Sequence, residues 1–80
     1  MAKPPALDID VLVTLCESAR LLNSHVALSR RQSAMVAVVL NRWDWLWNMD
    51  FTIVTAIHYI GTDGMTIVCE AERRIYRDTA

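Results

Sequence analysis

A chain of 80 residues with a formal net charge of −1 reads as one small domain, with no overall field to draw it onto nucleic acid. Hydrophobic residues make up 54% of it, more than so short a globule can hide, since a chain of this size buries only about 60% of its unfolded surface. The surplus predicts a surface that a partner covers.

Residues 1–7, with Pro4 and Pro5, read as a flexible leader because proline is excluded from a helix interior. Residues 8–80 form the single domain. Asp8 and Asp10 open the first apolar stretch, which rules it out as the apolar core of a signal peptide. Either aspartate can instead cap a helix that runs to about Leu22. On a helical wheel Val11, Leu12, Leu15, Cys16, Ala19 and Leu22 gather on one side, and Asp10, Thr14, Glu17 and Ser18 fall opposite. Carrying that helix further would bring Arg30 onto the apolar stripe, so the pattern predicts a break around "NSHVAL".

A second helix has a clear start. Ser29 and Gln32 have capping-box spacing, in which the serine oxygen accepts from a free backbone N–H and the glutamine reaches back. From there Met35, Val36, Val39, Leu40, Trp43, Leu46 and Trp47 share one face, while Arg30, Ser33, Ala37, Asn41 and Asp44 share the other. Read as one continuous helix, the segment "RWDWLWNM" divides its tryptophans. Trp43 and Trp47 continue the core stripe, and Trp45 leaves it to join Val38, Arg42 and Met49. Tryptophan, methionine and arginine are enriched at binding hot spots, so Val38, Arg42, Trp45 and Met49 are the candidate protein interface.

The remaining residues read as strands. "FTIVTAIHYI" is rich in β-branched and aromatic residues, and Asp63-Gly64 has the composition of a tight hairpin turn. Pairing about that turn sets Ile60 beside Ile67, His58 beside Cys69 and Ala56 beside Ala71. The predicted class is therefore α+β: two amphipathic helices followed by a C-terminal β-hairpin. A lone hairpin is marginal in water, so dimerisation is the predicted source of further strands. The alternative is an all-α four-helix bundle, in which Asp50 caps, Gly61 terminates, and "EAERRIYRD" suits a helix by its early acids and late arginines.

No stretch supplies the roughly 20 nearly uninterrupted apolar residues of a membrane span. "AMVAVVL" runs into Asn41, Arg42 and Asp44, and Phe51 to Cys69 is broken by His58, Asp63 and two glycines. Two cysteines do not make a secreted disulfide framework, and the expected setting is cytoplasmic with both thiols reduced. The nine-residue gap from Cys16 to His25 and the eleven-residue gap from His58 to Cys69 lack the close ligand pairs of zinc sites. No phosphate-binding loop, dinucleotide fingerprint or nucleophile elbow is present. No metal, cofactor or enzymatic activity is expected. Arg30, Arg31 and Arg42, with Trp45 to stack a base, are the residues of an alternative nucleic-acid-binding role. Against it, Arg73, Arg74 and Arg77 are interleaved with Glu70, Glu72 and Asp78 and neutralise locally. The favoured expectation is a small homodimeric protein-binding or regulatory module, inhibitor-like, that occludes or bridges a protein partner.

Overall fold

The computed structural model describes residues 8–77, so the leader expected at residues 1–7 lies outside them. Four helices follow in order: α1 (Ile9–Leu22), α2 (Arg30–Val39), α3 (Trp43–Asn48) and α4 (Ile53–Arg77). Among the described residues there is no strand. The C-terminal hairpin and the α+β class are thereby overturned, together with the sheet that dimerisation was to complete, and the chain is an all-helical bundle.

The two helix starts that were legible in the sequence form as expected. Asp8 caps α1, its carboxylate accepting from the Val11 N–H at 2.8 Å, an interaction typically contributing about 1 kcal/mol. At α2 the full capping box forms: Gln32 N–H donates to Ser29 Oγ at 3.2 Å, and Ser29 N–H donates to Gln32 Oε1 at 3.1 Å.

The helix ends share one device. Asn23, Asn41 and Asp50 all take left-handed backbone conformations, with φ of 52°, 56° and 61°. In each case the next residue's N–H reaches back five positions: Ser24 to the Ala19 carbonyl, Arg42 to that of Ala37, and Phe51 to that of Leu46. The left-handed residue itself bonds three positions back, at Arg20, Val38 and Trp47 respectively. This is the Schellman stop, which normally uses glycine but accepts asparagine, because a short polar side chain tolerates the left-handed region. A chain with only two glycines thus makes three sharp helix ends without spending either of them.

Helix α2 is the centre of the bundle. Ser33, Ala34, Met35, Val36, Ala37 and Val39 are all buried, and α2 packs against each of the other three helices. Ser33 and Ala37 of the expected polar face are therefore core, whereas Arg30, Asn41 and Asp44 are exposed as expected. The Ser33 hydroxyl donates to the His25 carbonyl at 3.3 Å, and among the described residues no buried side-chain nitrogen or oxygen lacks a partner. Leu12, Cys16 and Ala19 bring α1 into this core.

Helix α4 shows why the strand reading fails. Ala56, Ile60, Gly64, Val68, Ala71 and Ile75 are its buried residues, spaced three or four apart in a single stripe. That stripe packs on α1 and α2, and tertiary burial outweighs the local preference of β-branched residues for strands. Thr52 starts the helix, its hydroxyl accepting from the Thr55 N–H at 3.1 Å, while Thr52 N–H donates to Thr55 Oγ1 at 2.8 Å. Gly64, expected in a turn, is instead buried in close packing. A methyl group there would lie 2.5 Å from Ile60 Cγ2 and 3.0 Å from Arg31 Nη2. The other glycine, Gly61, is the single non-helical residue, at φ 83° and ψ 170°, where α4 kinks. At the far end Arg74 pairs with Asp10 at 2.6 Å and joins the end of α4 to the start of α1. No helix of the described chain is long and apolar enough to cross a membrane.

Candidate docking surface on the third helix

The expected continuous helix from Ser29 to Trp47 is broken at Asn41, and this reverses the roles of the tryptophans. One left-handed residue resets the helical phase, so α3 restarts with Trp45 and Leu46 turned inward. Trp45 is only 5% exposed, whereas Trp43 is 56% and Trp47 74% exposed. The latter two lie four residues apart and share the outer face of α3.

Arg42 holds the break in place. Its guanidinium grips Asp44 in bidentate fashion, Nε to Oδ1 at 3.0 Å and Nη2 to Oδ2 at 2.8 Å, and donates from Nη1 to Asn23 Oδ1 at 2.6 Å. It therefore ties the stop of α1 to the start of α3. The same guanidinium lies 4.2 Å above the Trp45 ring, and the His25 ring packs 5.1 Å from that ring. Hydrogen bonding to Arg42 holds the Asp44 carboxyl below its ordinary range, and the same bond raises the Arg42 pKa.

Outside this anchor, Trp43, Leu46, Trp47, Phe51 and Ile53, with Asp44 and Thr52, line an apolar cleft of ≈ 470 Å³. A second hollow of ≈ 300 Å³ lies against Trp47, Asp50, Phe51 and Thr52. Trp47 borders both, so its indole is a ridge between two hollows. The floor is fixed from the side of α2: Arg30 Nη2 donates to the Met49 carbonyl at 2.9 Å, and its guanidinium sits 4.4 Å from the Phe51 ring centre. Tyr59 completes that stack, 5.1 Å from Phe51. Each wall therefore belongs to a helix or to a turn that a guanidinium holds, and the cleft is preformed.

The residues singled out by sequence are distributed differently. Val38 and Met49 are half-buried against the core, Arg42 is the anchor just described, and Trp45 lies beneath it. Of the alternative nucleic-acid set, Arg30 is engaged with Met49 and Phe51, Arg31 lies against Gly64, Arg42 holds Asp44 and Asn23, and Trp45 has no open face for a base. Trp43 and Trp47 were missed as surface residues. The available signal was Asn41 itself, an asparagine following the long apolar run of α2.

His58 and Cys69 line one open groove on the outer face of α4, with Ile57, Met65 and Thr66. In the expected hairpin they would be paired neighbours. In the observed fold they lie on α4 on either side of the Gly61 kink. The Cys16 thiol is buried, and burial pushes its pKa up to about 12, which keeps it protonated and unreactive at neutral pH. No group of three or more histidine, cysteine or acidic residues placed to hold a metal occurs among the described residues. No protein-family model, curated protein or solved structure matches the chain.

Proposed function

We propose that this chain is a small non-catalytic protein-binding module of regulatory, inhibitor-like type, which captures a protein partner on the α3 cleft and thereby occludes or bridges it. The observation that carries this proposal is the exposure of Trp43 and Trp47 on the rim of a preformed apolar cleft. Large apolar patches rimmed by polar residues are typical of interaction sites, and tryptophan is among the commonest binding hot spots.

The magnitudes suit reversible capture. With Trp43 56% and Trp47 74% exposed, and about 150–250 Å² on an aromatic side chain, the pair leaves roughly 200–330 Å² open to water. At about 25 cal/mol per Å² this supplies about 5–8 kcal/mol of gross driving force. Association costs about 4–15 kcal/mol, so the tryptophans give a transient complex unless the partner adds contacts of its own. A cytoplasmic setting accords with two unpaired thiols, one of them, Cys69, exposed.

The test is capture from an extract of the native host by immobilised wild type, Trp47→Glu and Leu21→Glu. Leu21 is 87% exposed and lines neither hollow, so it controls for general stickiness. A protein retained by wild type and Leu21→Glu but lost with Trp47→Glu supports the proposal. Equal retention by all three variants overturns it.

A further inference from the structure

We infer that the Gly61 kink builds the α3 cleft. Gly61 is a positioning residue that acts through Ile53 and Tyr59, and the bend of α4 governs whether the docking surface exists. Its relevance to partner capture rests on the docking role proposed above.

Gly61 serves the backbone alone. A methyl group added there would meet nothing within 4 Å, whereas at Gly64 it would strike Ile60. No neighbour of Gly61 demands a small residue. The conformation does, because φ 83° and ψ 170° lie in a region essentially closed to L-residues. The three helix stops manage with asparagine and aspartate because their φ values of 52°, 56° and 61° are left-handed helical, which short polar side chains tolerate. The bend in α4 is beyond the reach of those residues, and there the chain uses glycine to set backbone direction.

That direction places one wall of the cleft. The kink divides α4 into two arms, residues 53–60 and 62–77. The second arm is held by its buried stripe, Gly64 to Ile75, and by the pairing of Arg74 with Asp10. Helix α3 is held separately, by buried Trp45 and Leu46 and by the grip of Arg42 on Asp44. The first arm bridges these two fixed bodies. It begins just after Phe51, whose N–H is tied to the Leu46 carbonyl of α3 at 2.9 Å. It supplies Ile53 to the cleft and Tyr59 to the stack on Phe51, with the Arg30 guanidinium of α2 5.9 Å from the Tyr59 ring centre. Helical dihedrals at Gly61 would differ by about 150° in both φ and ψ, and the arm would leave this course. Ile53 lies eight residues from the kink, or about 12 Å along the axis, so a change of only about 10° in the bend moves it by about 2 Å. A gap of that size forfeits its packing contacts.

Chemical synthesis of the full chain with Gly61→Ala, once with L-alanine and once with D-alanine, tests this. For the D form, φ 83° and ψ 170° mirror ordinary extended backbone, whereas L-alanine favours a straight helix. Far-UV circular dichroism establishes that each chain is folded. NMR then reads the Overhauser contacts of the Tyr59 ring with Phe51 and with the Arg30 side chain, and the ring-current shifts of the Ile53 methyl groups. Wild type and the D form are expected to share these signals, and the L form to lose them. Their survival in the L form overturns the inference, as does their loss in the D form. If the L form does not fold, a D form with wild-type signals supports the inference and a D form without them overturns it. The docking role fails separately: partner retention that ignores Trp47 refutes it, while the kink is judged by contacts within the free chain.

Discussion

Replacing Trp45 with alanine is the sharpest test of the packing around α3. The indole is 5% exposed, enclosed between the His25 ring at 5.1 Å and the Arg42 guanidinium at 4.2 Å. Truncating a buried tryptophan typically costs about 3–5 kcal/mol through lost transfer energy and the cavity left behind. The Arg42 contact adds about 0.5–1 kcal/mol. Against this stands a total stability of about 0.05–0.15 kcal/mol per residue, or about 4–12 kcal/mol for 80 residues. Trp45→Ala should therefore remove about 30% or more of the folding free energy. It should lower the melting temperature by roughly 15–50 °C, at about 4–8 °C per kcal/mol for a domain this small. Urea unfolding followed by far-UV circular dichroism reads the loss directly. Trp47→Ala in the same experiment should stay within about 0.5 kcal/mol of wild type, as exposed substitutions do. A loss below about 1 kcal/mol for Trp45→Ala, or a larger loss for Trp47→Ala, would refute the assignment of core and surface.

Gly61→Ala should destabilise by about 1–3 kcal/mol in the same urea experiment, because φ 83° and ψ 170° lie in a region essentially reserved for glycine; open space around the missing methyl group makes the cost one of backbone alone, and an unchanged midpoint would mean the kink is not populated. At Asn41, with φ 56°, alanine should cost about 1–2 kcal/mol while glycine should match or exceed wild type; equal stability of the two variants would contradict the left-handed stop. A thiol reagent should modify Cys69 at once and Cys16 only on unfolding, since Cys69 is exposed and Cys16 buried; rapid labelling of both in native buffer would contradict the packing of α1. The Cys16 thiol has a folded pKa near 12, raised above its ordinary value of about 8.5. The unfolded chain thus loses this proton first, so the contribution is complete below about pH 8.5 and is lost as pH rises toward the folded value. Wild type should therefore lose stability across that alkaline window more steeply than Cys16→Ala, and parallel profiles would be the contrary result.

The parts of this fold that were legible in the sequence are those set by local chemistry. Asp8 and the Ser29–Gln32 pair announce helix starts because their side chains satisfy backbone donors within one turn. Residues 53–77 were misread because two local signals, β-branched content and Asp63-Gly64, favour a hairpin. The deciding fact is non-local: Ala56, Ile60, Gly64 and Val68 present a stripe to α1 and α2, and Gly64 is small because Ile60 and Arg31 leave no room. The proposed docking surface falls within the segment that the sequence singled out, but on other residues of it. An apolar surplus and a tryptophan cluster pointed to residues 42–49, but helical phase carried through Asn41 assigned Trp45 outward. A helix wheel assumes one continuous axis, and a single left-handed residue between Leu40 and Arg42 invalidates it for everything downstream. Asn23 and Asp50 act in the same way at the other two stops, yet only their place in the finished backbone distinguishes them from ordinary polar residues.

The central claim is that Trp43 and Trp47 meet other proteins while Trp45 holds the fold. It is tested most directly by fluorine NMR on the chain labelled with 5-fluorotryptophan, each resonance being assigned by single Trp→Phe substitution. The Trp43 and Trp47 signals are expected to shift between light and heavy water. The Trp45 signal should not respond. A solvent-sensitive Trp45 resonance beside static Trp43 and Trp47 signals would contradict it.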